Sequence, residues 1–272
     1  MTLLAVRVTP RSNHEAVVAA LFEAGSLGVH EDGRTLVTTL PDDGRVDRLR
    51  LRVAAVDPGA EIDVSESAPV DVTEWRGTVG AHTVGRITVA PPWVEAEAAE
   101  HLVLIEPAMA FGTGEHATTR LCLSLLQRVI RPGDAVADLG SGSAVLAIAA
   151  AKLGARSVAA IEIDPDATSN AEENVARNGV DGVVRLVEGD AAVLLPLVAP
   201  VRVIIANILS SVILEMLPVI GRSLTRDGEV ILSGIMLEER GMVLARLAEA
   251  GWRVTSEESE GEWWAAVAVT SH

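Results

Sequence analysis

The stretch VADLGSGSAVLAIAAAKLGA, residues 136–155, joins a short apolar run to an alanine-rich run through a turn with two glycines. Such an order is typical of a strand, a tight turn and a helix in an α/β protein. Gly140 and Gly142 would let the backbone pass close to a ligand, and the start of the helix would add N–H donors. A purely structural strand–helix turn would look similar, so the turn by itself leaves both readings open.

Apolar segments on both sides of this turn extend the pattern. From residue 101 onward, strand-like runs alternate with helical runs, which predicts an α/β fold with a mostly parallel, doubly wound, Rossmann-like sheet. The segment 252–270 adds two strands around an acidic turn. The predicted helices begin near Thr118, Val145, Pro165, Ile208 and Glu238. The predicted strands are HLVLIE (101–106), AVADLG (135–140), SVAAIEI (157–163), VVRLVEG (183–189), VRVIIAN (201–207) and EVILSG (229–234).

The N-terminal part of the chain has a different organisation. Residues 1–66 contain short elements in the order βαββαβ, which predicts a small ferredoxin-like α+β domain. Residues 67–100 are rich in turn residues and are interpreted as a connector that leads into a strand ending before Pro91. We therefore expect three parts, namely 1–66, the connector 67–100 and a larger domain over 101–272.

The composition excludes several classes of protein. The net charge of -16 over 272 residues argues against sequence-independent nucleic-acid binding and suits either a basic protein partner or a solubilising acidic surface. The single cysteine, Cys122, excludes an intramolecular disulfide and a cysteine cluster for zinc. No signal-peptide pattern and no membrane-length apolar run are present, so we expect a cytoplasmic protein that uses no membrane.

The residues around the glycine turn favour one cofactor class. A dinucleotide-binding turn would have a third glycine, which is absent here, and Asp138 would oppose a diphosphate. A carboxylate at this position suits a cationic nucleoside instead, namely S-adenosylmethionine. Glu162, twenty-two residues after Gly140, ends the next predicted strand and could accept both ribose hydroxyls. Asp164 competes for that role, although its position before Pro165 suits a helix cap.

Three further polar residues are candidates for the site. Asp190 follows the third predicted strand and could accept from an adenine amino group, or it could be an ordinary loop acid. Asn207 ends the fourth strand, where its amide oxygen could orient an amine for attack; the alternative is a helix N-cap. His116 could act as a base near neutral pH or be a structural loop residue. No metal-ligand cluster and no hydrolase nucleophile motif is visible in the sequence.

The segments EPAMAFGTGEHATTRLCL (106–123), IEIDPDATSNAEENVARNGV (161–180) and ANIL (206–209) accompany the glycine turn. Together they closely resemble the PrmA-type ribosomal protein methyltransferases. The resemblance implies transfer of methyl groups from S-adenosylmethionine to lysine side-chain and N-terminal amines of large-subunit ribosomal protein eleven, and it makes residues 1–66 a substrate-recognition domain. The family's cofactor positions fall on Thr119, Gly140, Glu162 and Asn207.

The chain departs from the family pattern at three positions. The family usually has Asp where Glu162 stands, and Gly where Ala108 and Ala144 stand. Glu162 keeps the chemistry with one more methylene, whereas Ala144 could slightly crowd the amino-acid end of the cofactor. Two rival functions remain at this point: methylation of another protein or of a small amine, and a non-catalytic domain that binds the nucleoside and docks on the ribosomal protein.

Overall fold

The computed structural model describes residues 3–26, 30–42, 44–66, 80–96, 100–106 and 114–271. The chain divides into two compact units, Met1–Thr78 and Val79–His272. Each unit has its own sheet and its own buried core among these residues, and they are described in turn.

The first unit has the predicted order of elements. Its four-stranded antiparallel sheet has the strand order β2-β3-β1-β4. Along β3, buried and partly exposed side chains alternate, so Leu36 and Leu40 face a core that Leu21 and Leu49 of the two helices complete. The ferredoxin-like prediction is therefore confirmed. The elements are β1 (Leu3–Thr9), α1 (His14–Glu23), β2 (His30–Asp32), β3 (Thr35–Pro41), α2 (Arg45–Val56) and β4 (Glu61–Glu66).

The second unit begins with a three-stranded sheet of β5 (His82–Val84), β6 (Ile87–Ala90) and β7 (His101–Leu104). The expected connector therefore includes two strands, while its residues 67–79 and 97–99 lie outside the described part of the chain. The strand predicted at HLVLIE exists, but it was wrongly assigned to the large sheet. Its backbone pairs in parallel with β6, and the amide of Asn178 hydrogen-bonds both Leu104 N (2.9 Å) and Leu104 O (2.7 Å).

The large sheet has seven strands in the order β10-β9-β8-β11-β12-β14-β13. Strand β14 runs antiparallel to both of its neighbours, whereas the other strands pair in parallel. The strands are β8 (Ala135–Leu139), β9 (Ser157–Glu162), β10 (Val184–Glu188), β11 (Val201–Asn207), β12 (Leu224–Met236), β13 (Trp252–Glu260) and β14 (Trp263–Thr270). The doubly wound, Rossmann-like prediction is confirmed.

Six helices of the described ranges flank this sheet. One face packs on α3, α4 and α5, and the other packs on α6, α7 and α8. The helices are α3 (Ala117–Val129), α4 (Val145–Lys152), α5 (Pro165–Arg177), α6 (Ala191–Val198), α7 (Ser210–Ser223) and α8 (Arg240–Glu249). Sequence reasoning missed α6, which has only eight residues and contains Pro196. It also started the last two helices two residues early, because α7 begins at Ser210 and a 3₁₀ turn, Leu237–Glu239, precedes α8.

The order of the strands locates the place where a ligand would bind. Strand β8 lies between β9 and β11, so the chain winds in one direction from β8 to β10 and in the other from β11 onward. At such a reversal the connections after neighbouring strands leave in opposite directions and open a crevice at the carboxyl ends of the strands. The turn after β8 and the last residue of β11 border this crevice.

Candidate cofactor and active site

A cavity of about 530 Å³ opens at the carboxyl ends of the parallel strands. Its lining includes Gly140 after β8, Asp190 after β10, Asn207 at the end of β11 and Gly234 in β12, with Trp263 on one side. The volume is in the range of pockets that hold a small organic ligand. The structure thus brings Gly140 of the predicted glycine turn and three predicted polar residues, His116, Asp190 and Asn207, to one cavity.

The glycine turn has a backbone that suits close approach. Gly140, Gly142 and Ala144 all have left-handed φ values, of 69°, 51° and 64°. A Cβ on Gly140 would lie 2.5 Å from Cγ2 of Ile208, so the position has no room for a side chain. The N–H groups of Gly140 and Ser141 both donate to the carbonyl of Ile161, at 2.9 and 3.1 Å, which fixes the turn to the adjacent strand β9.

Glu162 holds the glycine turn in addition to ending β9. Its Oε2 accepts from the N–H of Gly142 at 2.8 Å, and its Oε1 accepts from the N–H groups of Ile163 and Asp164 at 2.8 and 3.0 Å. A carboxylate offers about four lone-pair positions, so capacity remains for a hydroxyl donor. The ribose role stays a prediction, and the hydrogen bond to Gly142 is a contact that no sequence pattern predicts.

The two aspartates after β9 and β10 are helix caps. Asp164 accepts from Asp166 N at 2.9 Å at the start of α5, so the capping interpretation is confirmed. Asp190 accepts from Ala192 N at 2.8 Å at the start of α6 and also lines the cavity. A capping carboxylate still has free lone pairs, so the adenine role of Asp190 remains a prediction.

Asn207 has the strongest structural signal among the candidate catalytic residues. The alternative that it caps a helix is wrong, because the N-cap of α7 is Leu209. Asn207 pairs in register with Ser233 of β12 and lines the cavity. Its Oδ1 is buried without a hydrogen-bond partner among the described residues. Buried amide oxygens are nearly always paired, so this acceptor marks a place where a donor belongs in the working protein.

Thr119 and His116 lie at the start of α3. Thr119 is 1% exposed, and its Oγ1 has no hydrogen-bond partner within the described ranges. Nδ1 of His116 lies 2.8 Å from Oγ1 of Thr118 and accepts from Thr118 N at 3.4 Å, which makes it the cap of α3. Its ring packs edge-on against Trp263 at 4.9 Å, and burial lowers its pKa. This is the structural role; a role as base stays a prediction.

Asp138 and Cys122 lie beneath the turn. Both carboxylate oxygens of Asp138 lack a hydrogen-bond partner in the described part of the chain. Burial raises the pKa of Asp138 to about 7; the nearby N–H of Ala147 partly opposes this shift, and the charge of Glu162 adds to it. A cation above such a carboxyl would favour its ionised form. Burial also raises the pKa of the Cys122 thiol to about 12, so this cysteine stays protonated and chemically inert.

Four residues with buried, unpaired polar atoms lie at this end of the sheet in the described structure. Thr119 Oγ1, Asp138, Ser141 Oγ and Asn207 Oδ1 are all buried and unpaired among the described residues. Hydroxyls, an amide oxygen and a carboxyl together fit a ligand with several polar groups and a positive charge. The residues that this structure covers contain no cluster of three His, Cys, Asp or Glu side chains that could hold a metal ion.

Sequence reasoning did not single out Ser141, Gly234 or Trp263. Gly234 has φ 78°, and a Cβ there would lie 2.4 Å from the carbonyl oxygen of Ile208, so this glycine lets β12 pass the segment after Asn207. The glycine at the end of the predicted strand EVILSG (229–234) is the sequence signal that could have identified this position. Of the GTGEHATT stretch, Gly112 and Thr113 lie outside the described residues, as does Ala108.

Comparison with known proteins identifies the family. Residues 61–271 match the family model described as ribosomal protein L11 methyltransferase (PrmA). The chain belongs to this family. It is 39% identical over 239 residues to the ribosomal protein L11 methyltransferase of Pelotomaculum thermopropionicum, covering 84% of this chain and 77% of that one. It is 41% identical over 189 residues to that of Thermus thermophilus, covering 70% and 73%.

A solved structure agrees with this assignment. The crystal structure of ribosomal protein L11 methylase from Lactobacillus delbrueckii subsp. bulgaricus superimposes with a TM-score of 0.65 at 30% identity, over 71% of this chain and all of that one. The chain is thus an S-adenosylmethionine-dependent methyltransferase, and S-adenosylmethionine is its methyl donor. The hydroxyls, amide oxygen and carboxyls described above fit this donor, because it carries two ribose hydroxyls, an adenine amino group, an ammonium and a sulfonium. The described residues form no helix that is both long and apolar enough to cross a membrane.

Proposed function

We propose that this methyltransferase transfers methyl groups to amines of ribosomal protein L11, on lysine side chains and at the N-terminus. Relatives that match most of the chain carry the name of this activity. The observation on which the proposal depends most is Oδ1 of Asn207, which is buried at the cavity and has no hydrogen-bond partner among the residues that the structure describes. An amine that enters the cavity would donate an N–H to this oxygen.

The donor would be held by residues of four neighbouring connections. The backbone of Gly140 and Gly142 would approach its amino-acid end, and Glu162 would accept from the ribose hydroxyls. Asp190, which lines the cavity, would accept from the adenine amino group. Thr119 Oγ1, buried and unpaired in the described structure, would hydrogen-bond the donor from the opposite side.

S-adenosylmethionine supplies a methyl group on a positively charged sulfur, which is the electrophile of the reaction. An ordinary lysine has a pKa of about 10.4, so the amine must be neutral before it can attack. Asn207 contributes by accepting one N–H of the amine, which points the nitrogen lone pair in a defined direction. Its contribution is to position the neutral amine and not to remove the proton. Proximity and orientation are then the main sources of rate enhancement. Water can remove the proton, so His116 is not required as a base.

The direct test is mass spectrometry of ribosomal protein L11 after incubation with this protein and S-adenosylmethionine that carries a deuterated methyl group. We expect stepwise mass increases, located on lysine residues and on the N-terminal amine. Unmodified L11 together with measurable donor binding would instead support the non-catalytic alternative or a different substrate. Incubation with other ribosomal proteins and with free lysine in the same assay distinguishes those two outcomes. Ribosomal protein L11 as substrate would place the reaction in the cytoplasm.

We further propose that residues 1–66 recognise the protein substrate. These residues form a separate core, and the cavity that holds the candidate site is lined by residues of the second unit. A chain that begins at residue 79 should therefore keep its affinity for S-adenosylmethionine and lose methylation of intact L11. Both quantities are measured on one sample, by calorimetry and by methyl incorporation. Undiminished methylation would remove the recognition role, and loss of donor binding would show that the two units depend on each other for folding.

A further inference from the structure

The cofactor turn is held in place by two side chains from outside it. Glu162, described above, binds the N–H of Gly142 from the side of β9. Asn174 of α5 binds the other end of the turn, where its Nδ2 donates to the carbonyl of Ser143 at 3.2 Å. Ser143 directly precedes Ala144, whose left-handed backbone starts α4. In the described structure, side chains of β9 and α5 therefore contact the turn from two sides.

The amide of Asn174 is fully used. Its Oδ1 accepts from Glu106 N at 2.8 Å and from Nη1 of Arg177 at 3.0 Å. Its Nδ2 donates to Asn170 Oδ1 at 3.3 Å as well as to Ser143 O. An asparagine amide has two donor hydrogens and two acceptor lone pairs, so all four are engaged. The side chain is 0% exposed, and its four contacts allow only one orientation.

These contacts connect three parts of the second unit. Glu106 follows β7 and is the first residue of the segment EPAMAFGTGEHATTRLCL (106–123). Ser143 belongs to the turn after β8, and Asn174 itself lies in the helix after β9. One buried amide thus sets the distance between the end of the small sheet and the cofactor turn of the large one.

We propose that Asn174 is a positioning residue for S-adenosylmethionine: its hydrogen bond to the carbonyl of Ser143 holds the cofactor turn in the position that the donor requires. The inference relies on the proposed cofactor role of the turn. Asn174 does not touch the cavity, so its effect is on the affinity for the donor and not on the methyl-transfer step itself.

The chain provides a matched control one helical turn along, at Asn178. Its amide makes a partly buried set of contacts, donating to Leu104 O and Asn174 O and accepting from Leu104 N. Among the described residues, its side chain hydrogen-bonds β7 and Asn174 but no residue of the cofactor turn. A variant at Asn178 therefore measures the cost of loosening β7 and α5 without a direct effect on Ser143.

The test compares Asn174→Asp with Asn178→Asp. Aspartate keeps the acceptor oxygen for Glu106 N but replaces the donor to Ser143 O with a second oxygen, which repels the carbonyl. We expect Asn174→Asp to raise the KM for S-adenosylmethionine and the Kd for S-adenosylhomocysteine by about ten-fold, the scale of one lost buried hydrogen bond, with kcat nearly unchanged. Asn178→Asp should change both constants less than about two-fold at the same fraction folded.

Three results are informative. Equal changes in KM for the two variants, or a fall in kcat alone, would overturn the positioning role. If Asn174→Asp does not fold, Asn174→Ala is compared with Asn178→Ala by the same measurements, and similar donor affinities would again overturn it. Absence of donor binding in the unmodified protein would contradict the proposed cofactor site instead, so the two failures are distinguishable.

Discussion

The buried polar groups at the two ends of the seven-stranded sheet differ in whether they have hydrogen-bond partners. At the amino ends of β8, β11 and β12, the guanidinium of Arg202 donates to Asp134 at 2.6 Å and to Glu229 at 3.0 Å, and it also binds the carbonyl of Val129. At the carboxyl ends, Asp138 and Asn207 have buried oxygens with no hydrogen-bond partner in the described part of the chain. The same sheet therefore contains a completed polar network and an incomplete one.

The difference separates groups that stabilise the fold from groups that await a ligand. A buried polar group without a partner costs free energy, and folding alone gives no reason to keep several of them together. At the amino end each charge has its partner within the chain. At the carboxyl end the missing partners would come from the methyl donor and the substrate amine. The comparison predicts that substitutions at the two ends affect different measurements.

The largest effect is expected at the amino end. Arg202→Met keeps most of the side-chain volume but leaves Asp134, 9% exposed, and Glu229 without their cation. We expect the free energy of unfolding to fall by about 3–5 kcal/mol, as measured by urea denaturation. Donor affinity, measured where the variant is still folded, should stay unchanged. A decrease of less than about 1 kcal/mol in the free energy of unfolding would show that the two ends of the sheet do not differ in the way proposed.

The sequence predicted the carboxyl end better than the amino end. Glycines, a strand-ending Asn207 and an acidic Glu162 are local signals, because each follows an apolar run at a fixed place in a strand–turn–helix unit. Asp134, which pairs with Arg202, is 68 positions away from it in the chain, and no local pattern predicts that contact. The same holds for Asn174, whose contacts with Glu106 and Ser143 depend on how three elements pack.

Two errors in the fold have related causes. The strand at residues 101–104 has an apolar run like those of the large sheet, but strand pairing depends on which backbone edges are available, and β6 was available. The helix at residues 191–198 is too short for a helical period to be recognised, and its Pro196 resembles a helix breaker. The sequence predicts its capping residue, Asp190, as a site residue but does not predict that Asp190 caps a helix.

The second prediction concerns Asn207 at the carboxyl end. Asn207→Ala removes an acceptor that has no partner among the described residues, so the free energy of unfolding should change little. Turnover with L11 should fall about 10²-fold, the scale of losing one group that orients the reacting atoms. Asn207→Asp keeps an acceptor oxygen and should retain more activity than the alanine variant. A melting temperature that falls while turnover remains would return Asn207 to a structural role.

The third prediction uses the pKa of Asp138, which burial raises to about 7. Without the donor, stability contributed by this group should fall as pH rises from its ordinary value of 3.8 toward about 7, because the unfolded chain releases the proton first. A cationic donor favours the ionised carboxylate, so its affinity should rise several-fold between about pH 6 and about pH 7.5.

Calorimetry at several pH values measures this dependence. Methylthioadenosine lacks the amino-acid end of the donor and serves as the control ligand, whose affinity should vary little over the same range. Asp138→Asn should make the affinity for S-adenosylmethionine independent of pH in this window. A similar pH dependence in that variant would assign the effect to another group.

The smallest effect is expected at Ala144, which ends the cofactor turn with φ 64°. A left-handed backbone costs a residue with a Cβ about 1–2 kcal/mol, and glycine adopts it without that strain. Ala144→Gly should raise the free energy of unfolding by about 1 kcal/mol after the greater freedom of glycine in the unfolded chain is subtracted. Ala151→Gly, in the last turn of α4 and with an ordinary helical backbone, should instead lower it by up to about 1 kcal/mol. Because Ala144 adjoins Ser143, the carboxyl-end turn would then be strained as well as unpaired, and donor affinity should be equal or tighter once the strain is removed. If Ala144→Gly destabilises the protein as much as the control does, the turn is not strained, and only the unpaired polar groups distinguish the two ends of the sheet.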